Sequence, residues 1–174
     1  MFLDPADDPR RVGASLGDER ATLTDYLRFQ RQTLELKCAG LDAEQLARRS
    51  VEPSTMSLLG LVRHLAEVER SWFRRVMAGG DAPKRYQTDE EPDGDFDGAV
   101  ADPAVVAEAW AAWRAEVAFA ESFVAAAPDL AITGRSRYGE VSLREVLVHM
   151  IEEYARHNGH ADLLRERIDG RVGQ

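Results

Sequence analysis

Four long segments of this chain repeat apolar residues at every third or fourth position, and this pattern constrains the fold more than any other feature. It is the spacing of one face of an amphipathic α-helix. In the second segment the steps of three and four follow Leu58, Leu61, Leu65, Val68, Trp72 and Val76. The four segments cover residues 18–39, 57–78, 102–127 and 142–168. In a chain of 174 residues they predict an all-α fold, a single four-helix bundle.

Start and stop signals bound each predicted helix. Asp18, Ser57 and Ser142 occupy expected N-cap positions, and Glu145 completes a capping box with Ser142. Pro103 suits the first position of the third helix. Glycines, which commonly end helices, follow the first, second and fourth segments at Gly40, Gly79, Gly80 and Gly170.

The connecting segments differ in character. Residues 41–48 predict a short helical turn capped by Asp42, and residues 132–141 predict a short hairpin. Residues 81–101 are rich in proline, glycine and acidic residues and predict a long loop, either a crossover between distant helices or a lid over a site. Residues 1–17 predict an irregular N-terminal arm ahead of one domain over residues 18–174.

Charge and cysteine content narrow the function classes. The formal net charge of −9 argues against binding nucleic acid, which requires clustered Lys and Arg. The single cysteine, Cys38, cannot form an internal disulfide, so we expect a reducing cytoplasm. No apolar run approaches the roughly 18 residues of a membrane span, and residues 1–17 do not have the pattern of a signal peptide. Abundant Arg and Ala favour a GC-rich, actinobacterial source as a hypothesis.

Histidines are concentrated on the predicted fourth helix, which carries three of the four. At about 100° per residue, with His149 at zero, Glu153 lies at roughly 40°, His157 at roughly 80° and His160 at roughly 20°. These four side chains therefore share one stripe, and Met150 lies on it too, so the stripe faces inward. Buried polar groups need partners, and a metal ion would satisfy several of them at once.

His64 adds a histidine from the second helix, at a core-facing position. One ion cannot use the whole stripe, because His149 and His160 are about 16 Å apart along the axis and metal–nitrogen bonds are about 2 Å. Spacing leaves three pairs open: His149 with Glu153, Glu153 with His157, and His157 with His160. If the two helices are antiparallel, the depth of His64 favours the pairs that contain His157. For His149 and His160 the alternative is a hydrogen-bonded core histidine.

Two stretches of the sequence resemble a known family. Residues 61–69, LVRHLAEVE, followed by Trp72 and Phe73, resemble the second helix of the DinB-like superfamily. Residues 148–162, VHMIEEYARHNGHAD, resemble its fourth helix, particularly in an actinobacterial branch filed as a domain of unknown function, DUF664. The resemblance extends from about residue 18 to residue 168. It implies a four-helix bundle in up-down-down-up order, in which residues 81–101 form the long crossover loop.

The resemblance also implies a metal site. In the superfamily one histidine of the second helix and two residues four apart on the fourth helix bind the metal, which here correspond to His64, Glu153 and His157. The same set is similar to that of the mycothiol-dependent maleylpyruvate isomerase, whose additional C-terminal domain has no counterpart here, so we do not transfer its activity. One divalent ion is implied, with zinc favoured and nickel, manganese or iron as alternatives.

The leading functional hypothesis is a metal-dependent thiol S-transferase, which adds a low-molecular-weight thiol of the mycothiol type to a small electrophile. His160, Arg156, His149 and Tyr154 are candidates for residues behind the ligands or in contact with substrate. Trp72 and Tyr154 are candidates for the pocket wall, although core packing is the role favoured for Trp72. A metal-dependent hydrolase and a non-enzymatic metal-binding bundle are the alternatives. The expected partner is a small molecule, with neither nucleic acid nor membrane, and the chain is a candidate homodimer.

Overall fold

The computed structural model describes residue 4, residues 8–11 and residues 16–172, and it is mostly helical. None of its described helices combines the length and hydrophobicity needed to cross a membrane. Strands β1 (Thr133–Ser136) and β2 (Gly139–Ser142) form an antiparallel hairpin, as predicted. The α-helices are α1 (Glu19–Cys38), α2 (Ala43–Ala47), α3 (Leu58–Glu69), α4 (Gly94–Asp97), α5 (Pro103–Ala126) and α6 (Leu143–Asp169).

The predicted helix starts are confirmed by the capping contacts. The side chains of Asp18 and Ser57 accept hydrogen bonds from the backbone amides of Ala21 and Gly60. Complete capping boxes start α2 at Asp42 and α6 at Ser142. Each box satisfies amide groups that have no partner inside the helix, so these local signals fix where the helices begin.

The second long helix departs from the predicted pattern. After α3 it continues as a π-helical segment, Arg70–Met77, in which the amide of Ala78 donates to the carbonyl of Phe73. This wider turn changes which side chains are buried. Phe73 and Met77 enter the core, whereas Trp72 packs against the core from a partly buried position. The π-helical segment thus presents Trp72 toward the side of the molecule where α6 carries its histidines.

The four long helical segments pack in pairs. α1 lies along α6, α3 lies along α5, and α3 also contacts α6. The core between them includes several side chains with no exposed surface: Leu34, Leu61, Leu65, Phe73, Leu147 and Met150. The up-down-down-up order of these helices stays a prediction.

A buried polar network joins all four long helical segments. Arg31 of α1 donates two hydrogen bonds of 2.8 Å to the carboxylate of Glu69 at the end of α3. The hydroxyl group of Tyr154 in α6 donates to the same carboxylate at 2.9 Å, and it accepts a 2.8 Å hydrogen bond from the indole of Trp113 in α5. Burial alone would lower the pKa of Arg31, but the Glu69 carboxylate raises it, so the guanidinium stays charged.

The connector over residues 81–101 contains the four-residue helix α4, which packs against α3. The prediction of a long irregular connection is therefore correct for most of this stretch but misses α4. A Cβ at Gly98 would lie 2.5 Å from a guanidinium nitrogen of Arg63, so glycine permits the close approach of this connector to α3. As a result Asp95 is brought into the protein with no exposed surface.

The predicted N-terminal arm lies largely outside the described residues. Within it, Pro9–Arg11 form a short 3₁₀ helix. The guanidinium of Arg10 donates to the hydroxyl group of Thr33 at 3.2 Å, which attaches this turn to α1. The division into an arm and a domain that starts at residue 18 stays a prediction.

Candidate metal centre

The fold brings His64 of α3 together with Glu153 and His157 of α6. One ligand atom from each of these residues lies within 4.8 Å of the other two. The two α6 residues are one helical turn apart, so they project from the same side of the helix. Contact between α3 and α6 then places His64 against them. These are the three positions that the DinB-like resemblance indicated.

The spacing within this group suits one ion. Oε2 of Glu153 is 3.5 Å from Nε2 of His157, and two tetrahedral ligands with bonds of about 2.1 Å are about 3.4 Å apart. The rings of His64 and His157 have centroids 4.7 Å apart. His157 is buried, and His64 and Glu153 are partly exposed. The donor set, two imidazoles and a carboxylate, is one that catalytic zinc sites use.

Asp95 orients His64. Nδ1 of His64 lies 2.8 Å from a carboxylate oxygen of Asp95, which also accepts a 3.0 Å hydrogen bond from the amide of Gln87. When Nδ1–H donates a hydrogen bond to a carboxylate, Nε2 of the same ring carries the lone pair that can bind a metal ion. The sequence did not single out Asp95, because it is one of six acidic residues between positions 82 and 101 and nothing in its spacing distinguishes it.

Two carboxylates at the centre are held ionised. Burial opposes ionisation of Asp95, but hydrogen bonds from His64, the Phe96 amide and Gln87 together lower its pKa. For Glu153, the hydrogen bond with His157 is the main reason that the pKa falls, and burial only partly opposes it. Both groups therefore carry negative charge at neutral pH.

The remaining histidines border this group. His149 lies 3.3 Å from the other oxygen of Glu153 and packs its ring on Trp72, with centroids 4.7 Å apart. Nδ1 of His160 is 3.3 Å from Nδ1 of His157. Burial, with help from His157, lowers the pKa of His160, which favours its neutral form.

Two other candidates differ in their surroundings. Arg156 is an exposed residue of α6, and its charge contributes to the lowered pKa of His160. Tyr154, a candidate for a residue behind the ligands or in contact with substrate, is fully buried and belongs to the core network through Glu69 and Trp113. One residue along the helix from Glu153 is enough to turn its side chain by about 100° away from the metal group.

A cavity of about 180 Å³ opens directly on the group, with His64 and Glu153 in its wall. Trp72 and Arg75 of the π-helical segment and Gln87 of the connector also line it, together with Glu67, Val68 and Ser71. Two of the three candidate ligands, His64 and Glu153, are thus accessible to a small molecule from one side.

Comparison with known proteins gives the family. A family model described as mycothiol-S-transferase matches residues 22–170. No curated protein sequence matches the chain. A conserved protein from Enterococcus faecalis has a similar crystal structure, with a TM-score of 0.59, 18% sequence identity, and coverage of 86% of this chain and 96% of that chain. At that identity the likeness concerns the fold alone. The DinB-like resemblance is confirmed, and the chain belongs to the mycothiol S-transferase family.

Proposed function

We propose that this protein is a divalent-metal-dependent S-transferase that joins mycothiol to a small electrophile. The convergence of His64, Glu153 and His157 beside an open cavity is the observation that carries the proposal. Family membership supports the choice of mycothiol as the thiol. Zinc is the favoured ion for two imidazoles and one carboxylate, with nickel, manganese or iron as alternatives.

The metal ion and the side chains would have different roles in the reaction. A bound divalent ion would supply the positive charge that makes a thiol acidic at neutral pH. The thiol loses its proton to solvent, and its sulfur electron pair forms a bond to carbon of the electrophile. In a substitution the bond from that carbon to the leaving group breaks, and the leaving group departs with the electron pair. Asp95 holds His64 in one tautomer, and Trp72 offers a flat apolar surface to the electrophile.

We also propose the finer features of the fold and its setting. The four long helical segments would form a four-helix bundle in up-down-down-up order, and residues 81–101 would be its crossover loop. The domain would begin at residue 18 and would work in the cytoplasm, with a homodimer as the candidate assembly. The only cysteine supports a reducing compartment: Cys38 is buried, and burial raises the pKa of its thiol to about 12, so it is unreactive.

Thiol consumption tests the proposed activity. The zinc-loaded protein with mycothiol and 1-chloro-2,4-dinitrobenzene should form the thioether and release chloride at a rate that depends on protein concentration. Removing the metal with a chelator should abolish this rate, and adding zinc should restore it. Absence of turnover with mycothiol, cysteine, glutathione and bacillithiol would reject the transferase, and hydrolysis of 4-nitrophenyl acetate without thiol would favour a hydrolase instead.

Asp95→Asn should weaken zinc binding by about 10- to 100-fold, because the neutral amide no longer stabilises the orientation and basicity of the His64 imidazole. Competition with a chromophoric chelator measures this affinity without any assay of activity. Asp97→Asn is the matched control, since Asp97 lies in the same short helix but pairs with Arg49 at the surface. Equal zinc affinities in the two variants would contradict the orienting role of Asp95.

A further inference from the structure

We infer that the electrophile carries a negatively charged group, such as a carboxylate, which a cationic cavity beside the metal centre recognises. This inference rests on the proposed function for the reaction, while the cavity itself is a property of the fold. It narrows the substrate from any small electrophile to an anionic one.

The cavity has a volume of about 620 Å³ and lies between the π-helical segment, the β-hairpin and α6. Small-molecule sites usually range over about 300–1,000 Å³. Trp72 and the exposed Tyr138 supply aromatic surface from two opposite elements. This space fits an electrophile of one or two rings together with part of a thiol.

The net charge of the cavity wall is opposite in sign to that of the whole chain. The chain has a formal net charge of −9, yet four cations line this cavity: Arg75, Lys84, Arg135 and Arg137. They come from the π-helical segment, the connector, β1 and the hairpin turn, so no single amphipathic face explains their convergence. Among the described residues in the cavity wall, Glu153 is the only carboxylate.

The positive charge of most of these cations is not neutralised by a carboxylate of the described residues. Arg75 pairs with Glu67 at 3.2 Å. Within the described part of the chain, Lys84 and Arg135 have no carboxylate within 4.0 Å, even though Glu140 is the strand partner of Arg135. Arg137 packs over the ring of Tyr138, 4.6 Å from its centroid, which holds its guanidinium in place without neutralising it. A bound anion would gain from these positive groups.

The cavity reaches the metal centre. Glu153 and His149 stand in its wall. Trp72, Arg75 and Gln87 also line the smaller cavity that contains His64, so the two spaces adjoin. A ligand whose anionic group contacts Arg135 and Arg137 can therefore place its other end near Glu153. The thiol is the only acidic group of mycothiol, and it would be at the metal ion. The anionic group that contacts Arg135 and Arg137 must therefore belong to the electrophile.

Two substrates with one reacting ring test the inference. They are 4-chloro-3,5-dinitrobenzoate and its uncharged methyl ester, and each enzymatic rate is corrected by its uncatalysed rate. The zinc-loaded protein with mycothiol should prefer the acid in kcat/KM, and added salt should reduce that preference. In Arg135→Gln/Arg137→Gln the ratio of acid to ester should fall about tenfold, mainly through KM of the acid. Both residues are exposed, so the variant should fold.

The control is Arg48→Gln, an exposed cation at the end of α2 that is not part of the cavity wall, and it should keep the wild-type ratio. Turnover of both substrates without preference for the acid would overturn this inference and leave the transferase intact. If neither substrate reacts, calorimetry with unreactive 3,5-dinitrobenzoate decides. Weaker binding in the double variant would support the anion site alone, and equal binding would overturn it.

Discussion

Protein in which His64→Ala and His157→Ala are combined should retain less than about a tenth of the zinc that the wild-type chain holds after dialysis. The loss is expected because one carboxylate, Glu153, would remain of the three donors. Elemental analysis of purified protein should give about one ion per wild-type chain and almost none in the double variant. Circular dichroism should be unchanged, since the core contacts of α3 and α6 lie on other side chains.

The matched control uses the two other histidines of α6. His149→Ala combined with His160→Ala also removes two imidazoles, and it should keep nearly all of the zinc. The comparison tests the pairing of Glu153 with His157 against the two other pairings that helix spacing leaves open. Zinc loss in the control but not in the first variant would assign the metal to His149 with Glu153, and zinc loss in both variants would add His149 or His160 to the ligands. Equal zinc content in both variants and in the wild-type protein would contradict the assignment of a metal centre to these residues.

Much of the secondary structure could be predicted from the sequence because it depends on residues close to one another in the chain. The N-caps Asp18, Ser57 and Ser142 depend on residues three positions away, so the sequence reveals them directly. The inward stripe of α6 follows from helical periodicity in the same way. The π-helical segment was missed because a regular period of 3.6 residues was assumed. Trp72 packs against the core from a partly buried position and also lines the cavity.

The parts of the site that sequence reasoning missed depend on tertiary contacts. Asp95 reaches His64 only because the connector folds back over α3. The four cavity cations come from two stretches, residues 75–84 and 135–137, that are far apart in sequence. The choice of Glu153 with His157 came from family resemblance, since periodicity places His149 and His160 on the same stripe. The buried network had a local signal: Glu69 follows Leu65 by four residues, as Arg31 follows Leu27, and both positions face the core.

The largest expected effect on stability comes from Glu69→Leu, which should lower the free energy of unfolding by about 3–5 kcal/mol. The substitution leaves the buried guanidinium of Arg31 without its bidentate partner and takes the acceptor from the hydroxyl group of Tyr154. Burial also raises the pKa of Tyr154 well above 10, so this phenol is a neutral donor that needs an acceptor. Urea unfolding followed by circular dichroism measures the change.

Two further variants identify the cause. Glu121→Leu is the surface control: Glu121 lies 3.6 Å from Arg31 but is mostly exposed, and its loss should change stability by about 0.5 kcal/mol or less. Arg31→Met added to Glu69→Leu should recover much of the lost stability, because the unpaired charge disappears with the arginine. A loss below about 1 kcal/mol in Glu69→Leu would show that the network contributes little to stability. Tyr154 directly follows Glu153 and precedes His157 by three residues. Glu69→Leu should therefore also weaken zinc binding, because the loss of the Tyr154 hydrogen bond would shift α6 against α3.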